Sequence, residues 1–193
     1  MRTLGFTRLV GSLGAIANQT VWTLPFDQDG RPGEPGPLVE ADGGGAAFSP
    51  RGDWVAYRAG AGTASQLQVQ PFPPTGAIYP VTEQGGSYPA WAPDGRRLIY
   101  RRPAPQGGTS QVLVGVDVTT DAGFAWGDET VEPLDNFLSY FGYRDYDFFP
   151  DGERLVINVP VTVADSAANE PEQLRINVAL NWFEELRERV PVE

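Results

Sequence analysis

Ala90-Trp91-Ala92-Pro93-Asp94-Gly95-Arg96-Arg97-Leu98-Ile99-Tyr100 is the middle of three copies of one phrase. The first copy is Ala47-Phe48-Ser49-Pro50-Arg51-Gly52-Asp53-Trp54-Val55-Ala56-Tyr57, and the third is Phe148-Phe149-Pro150-Asp151-Gly152-Glu153-Arg154-Leu155-Val156-Ile157. Each runs from an aromatic through Pro-x-Gly and a polar pair into an apolar run. Proline presets φ for the second position of a tight turn, aspartate hydrogen-bonds its own backbone, and glycine accepts a positive φ. The flanking residues are β-branched or aromatic, as strands prefer. Each copy therefore reads as a hairpin, with Pro50, Gly52, Pro93, Asp94, Gly95, Pro150, Asp151 and Gly152 as turn residues whose task is structural.

Working outward, a second phrase repeats in step with the first. Val21-Trp22-Thr23-Leu24-Pro25-Phe26 matches Leu67-Gln68-Val69-Gln70-Pro71-Phe72, and Val112-Leu113-Val114-Gly115-Val116-Asp117-Val118 takes the third place. Phe26 to Phe72 is 46 residues, as is Phe72 to Val118, while Pro50 to Pro93 is 43 and Pro93 to Pro150 is 57. A period in the forties with four short strands per unit is the signature of β-propeller blades. The expected fold is all-β, a propeller or partial propeller of about four blades, two complete and two partial. Its units lie at about 20–40, 45–82, 89–133 and 146–180, in one domain over 20–193. Asn181 as N-cap and Glu184 three residues on begin a helix over 182–190, with Phe183, Leu186 and Val190 on one face. Residues 1–19 read as an irregular segment or a partial strand. A signal peptide over 1–17 is the alternative, since Arg2 and Arg8 precede a stretch ending in Ala15-x-Ala17. Two whole and two partial blades leave open a tight four-bladed ring, a pairing of two chains, or missing upstream blades.

Composition narrows function. The 193 residues contain no Cys, no His and no Lys, and carry a net charge of −11. Disulfides, Cys/His zinc sites, His-based triads and P-loop or Schiff-base lysines are excluded. The acidity disfavours nucleic acid and anionic membranes. No apolar run is long enough to span a bilayer as a helix, so no membrane insertion is expected.

The hairpins at 49–52, 92–95 and 149–152 resemble those of TolB-type, WD-repeat-like bacterial propellers, over about Trp22 to the C-terminus. Val69-Gln70-Pro71-Phe72, Gly85-Gly86-Ser87-Tyr88-Pro89-Ala90-Trp91 and the ending Ile176-Asn177-Val178-Ala179-Leu180-Asn181-Trp182-Phe183-Glu184-Glu185-Leu186 resemble one subgroup, the propellers C-terminal to bacterial serine/threonine protein kinases. The resemblance implies a sensor or protein-interaction module outside the cytoplasm. Arg51 departs from the hairpin pattern, which has Asp there. The chain has no Gly-rich phosphate loop, no Val-Ala-Ile-Lys strand and no His-Arg-Asp or Asp-Phe-Gly motif, so kinase activity does not transfer.

Candidate sites are few. Asp27-Gln28-Asp29-Gly30 resembles the start of a calcium loop but lacks the acidic residue at position 12, where Leu38 stands; it reads as a polar hairpin tip. Asp145, Asp147, Asp151 and Glu153 read as solvated strand and turn residues, not as a glycosidase pair. The densest unusual feature is aromatic: Phe137, Tyr140, Phe141 and Tyr143 fall where the repeat carries its insertion, and are the candidate binding surface; the alternative is that the rings of this stretch fill inter-blade core, with Tyr140 and Tyr143 covering a blade edge. No cofactor and no metal are expected. The function expected is a non-catalytic module for protein–protein interaction or ligand sensing, in a larger signalling or envelope protein. The alternatives are the gating propeller of a hydrolase whose catalytic part lies elsewhere, and a truncated structural fragment. Expected partners are a protein or small extracellular ligand, a second copy, or upstream blades.

Overall fold

In the computed structural model, the described residues are 2–12, 15–39, 43–60, 65–83, 85–104, 111–132 and 144–157. The chain divides into two units, Met1–Val159 and Pro160–Glu193. The second lies outside the described residues, as does the helix expected over 182–190.

The described residues form only antiparallel β-sheet. β1 (Arg2–Ser12), β2 (Ala15–Phe26) and β3 (Gly36–Val39) make a three-stranded sheet in chain order. β4 (Gly43–Phe48), β5 (Trp54–Ala59), β6 (Gln66–Pro71) and β7 (Tyr79–Pro80) make a four-stranded meander. β8 (Ser87–Trp91), β9 (Arg97–Pro103) and β10 (Gln111–Thr119) follow the same path, and the outer place beside β10 is shared by β11 (Ala125–Trp126) and β12 (Thr130–Val131). β13 (Tyr146–Phe148) and β14 (Leu155–Ile157) pair as a two-stranded sheet, the last among the described residues. Residues 2–12 are extended because β1 pairs with β2 along nearly its whole length, with a bulge at Val10/Gly11.

The pleat sends alternate side chains to opposite faces, and the second and third sheets pack on both faces. Val55 and Tyr57 bury against Val21, Leu38 and Val39 of the first sheet. Trp54, Ala56, Leu67 and Val69, on the opposite face of that second sheet, bury against Trp91, Leu98, Tyr100, Val114 and Val116 of the third. Ala90, Ile99 and Leu113 then bury against Tyr146, Phe148, Leu155 and Ile157 of the last. Three such seams in series, between short meanders of one repeat, are a β-propeller arrangement.

The first strands of neighbouring sheets are tied by side chains. Trp91 Nε1 donates to the Ala47 carbonyl at 3.1 Å, Tyr146 OH to the Tyr88 carbonyl, and Arg144 Nη1 to the Pro89 carbonyl at 3.0 Å. β4 and β8 each carry a bulge at the same repeat position, where Gly45 (φ 61°) and Tyr88 (φ 55°) are left-handed. The residue at that position before the third hairpin is Asp145.

Candidate functional site

The three hairpin tips are built alike. The amides of Gly52, Gly95 and Gly152 donate to the carbonyls of Ser49, Ala92 and Phe149 at 2.8, 2.9 and 2.9 Å, closing a turn with proline in second place. The glycines have φ of 74°, 73° and 74°. The amides of Ser49, Ala92 and Phe149 donate in turn to Trp54, Arg97 and Arg154, so the strands resume in register. The aspartates hold the far side of two tips: Asp94 Oδ1 accepts from the Arg96 amide at 2.9 Å, and Asp151 Oδ1 from the Glu153 and Arg154 amides at 3.0 and 3.2 Å. Arg154 also bonds Asp151 Oδ2 and holds its carboxyl below the usual range.

The first tip is rebuilt around Arg51. Ser49 Oγ accepts from the Trp54 amide at 3.1 Å and donates to Asp53 Oδ1 at 2.9 Å, while Arg51 Nε donates to Asp53 Oδ2 at 2.9 Å. Partial burial works to raise the Asp53 pKa, but the bonds from Ser49 and Arg51 outweigh it and leave it lowered. The same bond raises the already high pKa of Arg51. Arg51 Nη1 also lies 3.5 Å from Asp121 of the next sheet.

Successive tips stack, with Gly95 against Pro50 and Gly152 against Pro93. Between the first two tips runs a groove of about 460 Å³, lined by Ser49, Arg51, Asp53, Asp94, Arg96 and the segment 118–121 among others. One lining residue, Val118, is the cross-strand partner of Trp126. Trp126 is 39% exposed and stacks on buried Phe124, ring centroids 5.7 Å apart. Phe124 in turn meets Trp54, Tyr79 and Trp91 at 5.5, 5.5 and 6.3 Å. A column of aromatic rings thus rises from the seam and surfaces beside a groove carrying both signs of charge. Ile78, next in the chain to Tyr79, is 53% exposed.

No protein-family model matches the chain, and no curated protein does. Solved structures do match. The putative TolB from Agrobacterium tumefaciens gives a TM-score of 0.48 at 14% identity, over 67% of this chain and 44% of that one. TolB from Acinetobacter baumannii gives 0.46 at 16%, over 67% and 29%. The acylaminoacyl peptidase of Pyrococcus horikoshii gives 0.46 at 14%, over 75% and 25%. The chain spans less than half the length of each. The β-propeller assignment stands on the sheets and seams of the chain itself.

Phe137, Tyr140, Phe141 and Tyr143 lie outside the described residues. The Asp27 tip is a polar turn, its Oδ1 accepting from the Asp29 and Arg31 amides at 2.9 and 2.8 Å. Among the described residues no group of three or more carboxylates is placed to hold a metal ion. Asp145 departs from its expected solvated position. It is buried, as is Arg101, whose Nη1 lies 3.5 Å away and whose guanidinium sits 4.4 Å over the Tyr88 ring. The groove and its aromatic ridge were missed at the level of sequence. The available signal was Phe124-Ala125-Trp126, two aromatics alternating directly after a strand.

Proposed function

We propose that the chain is a non-catalytic interaction module of a longer signalling or envelope protein, and that it takes a protein partner at the tip groove. The carrying observation is Trp126, exposed at the surface yet anchored on Phe124, with a cross-strand partner, Val118, that lines the groove also holding Arg51 and Arg96. Tryptophan and arginine dominate binding hot spots, and a ring held by a second ring loses little freedom when a partner covers it. The absence of His, Cys and Lys fits a module that binds without turning over. The placement in a signalling or envelope protein follows the resemblance to kinase-attached propellers.

The test compares wild type and Trp126→Ala, matched for melting temperature, as baits in cells carrying the gene. A partner retained by wild type and weakened at least about tenfold by the variant supports the reading. Identical retained sets would overturn it.

A further inference from the structure

The chain carries 25 acidic residues against 14 arginines and has no lysine, so a guanidinium has carboxylates within easy reach. All but three of the described arginine side chains ion-pair with one. Of those three, Arg58 donates to the Gly60 carbonyl and to Gln19 Oε1, and Arg8 lies 4.8 Å over the Trp22 ring. The third is Arg96. Its backbone amide donates to Asp94 Oδ1, but its guanidinium has no hydrogen bond, ion pair or ring contact. Arg96 is exposed and lines the tip groove.

The other charges of that groove are committed. Arg51 has Nε and Nη2 on Asp53 and Nη1 toward Asp121. Asp53 also accepts from Ser49 Oγ, and Asp94 caps the Arg96 amide. What the groove leaves unsatisfied is therefore a single positive charge, although the chain as a whole is strongly acidic. Beside it, through Val118, stands the exposed ring of Trp126.

We propose that the groove takes an extended segment of the partner protein through one acidic side chain, its carboxylate on the Arg96 guanidinium and the adjoining apolar or aromatic residue over Trp126. This deepens the proposed function and rests on the tip groove being the partner site. A guanidinium holds a carboxylate through two parallel charge-assisted hydrogen bonds, and an aromatic ring supplies area at little entropic cost. The acid is single and not one of a run, because the net charge of −11 repels a strongly acidic segment. It is a side chain and not a chain end, because end carboxylates are captured by nests of backbone amides. The tip amides that could build such a nest are in use: Gly52 on Ser49, Gly95 on Ala92 and Arg96 on Asp94.

The probe is a phage-displayed library of random peptides, flanked by linkers so that no chain end is presented, and panned on the full chain. Wild type is expected to enrich peptides that share an Asp or Glu beside an aromatic or branched apolar residue. Those peptides should bind Arg96→Gln at least about tenfold more weakly, and Arg96→Lys between the two. Arg96→Gln should melt like wild type, because the lost guanidinium touches no described residue. Panning on Arg96→Glu should put Lys or Arg in the place of the acid. Peptides weakened by Trp126→Ala but not by Arg96→Gln would overturn the carboxylate and leave the groove standing as the partner site. Peptides indifferent to both substitutions would overturn the two readings together. A wild type that enriches no peptide also overturns this proposal, while the bait comparison of wild type and Trp126→Ala decides the groove by itself.

Discussion

Arg51 stands where the other two hairpins have Asp94 and Asp151, and the consequence shows how a turn survives the loss of its own capping carboxylate. Ser49 takes the Trp54 amide, and Asp53 takes the Ser49 hydroxyl and the Arg51 guanidinium. Asp53→Asn should lower stability by about 1 kcal/mol at neutral pH, the net worth of a hydrogen bond near the surface. The pH dependence has a definite sign. The folded pKa of Asp53 lies below its ordinary value of 3.8, so its contribution is full above that value and lost as pH falls through the folded pKa. Urea titrations at about pH 6 and about pH 2 should show the wild-type advantage over Asp53→Asn in the first and not in the second. Glycine gives a second residue-scale test. Gly95→Ala should cost about 1 kcal/mol, because φ is 73° but the nearest atom to the new methyl is Pro50 Cδ at an ordinary 3.7 Å. Gly86→Ala should cost clearly more in the same titration: φ is 122°, and the Leu67 amide nitrogen and Thr82 Oγ1 lie 2.9 Å from the methyl position.

At the scale of elements, the junction of β9 with the start of the last sheet rests on a buried charge pair. Arg101 and Asp145 lie 3.5 Å apart, and Arg101 Nε and Nη1 and both Asp145 oxygens make no hydrogen bond. A buried pair with so few hydrogen bonds recovers little of its desolvation cost, so its net contribution is small, but removing one member strands the other. Asp145→Ala should destabilise by about 3–5 kcal/mol, and Arg101→Met/Asp145→Leu should return most of that loss. Thermal melts of the two variants beside wild type check this; a double variant no better than the single would show that the pair itself holds the junction. Nothing in the sequence could reveal it, because the partners are 44 residues apart and Asp145 sits in a run of alternating aspartates that reads as solvated. The hairpins were legible for the opposite reason. Proline, glycine and the neighbouring polar residues fix a tip within about four residues, whatever the rest of the chain does. β1 falls between these cases. Its glycines and arginines give no clean alternation, and it is extended because β2 offers it eleven positions to pair with.

At the scale of the whole molecule, the core clusters of the described residues each join one sheet to the next, and that makes the energetics of the propeller nearly one-dimensional. The face each strand residue takes was readable in the repeat once the registers were known, since Leu98 and Tyr100, like Val55 and Tyr57, recur at fixed distances from a proline. Substitutions in separate seams should then act independently. Tyr57 is in the first seam, its hydroxyl donating to Gln68 and Gln70 at 3.1 and 3.2 Å, and Ile99 is in the third. Tyr57→Phe leaves the buried Gln70 amide oxygen and the half-buried Gln68 one without that donor and should cost about 1–3 kcal/mol. Ile99→Val removes one methyl from a fully buried site and should cost about 0.5–1.5 kcal/mol. Because the two sites sit in separate core clusters among the described residues, the double variant should equal the sum within about 0.5 kcal/mol in urea unfolding. A coupling beyond that margin would mean that strain passes through the second seam, where Trp54, Trp91 and Phe124 lock rings across the sheets, and the stack would then have to be treated as one cooperative body and not as a chain of neighbours.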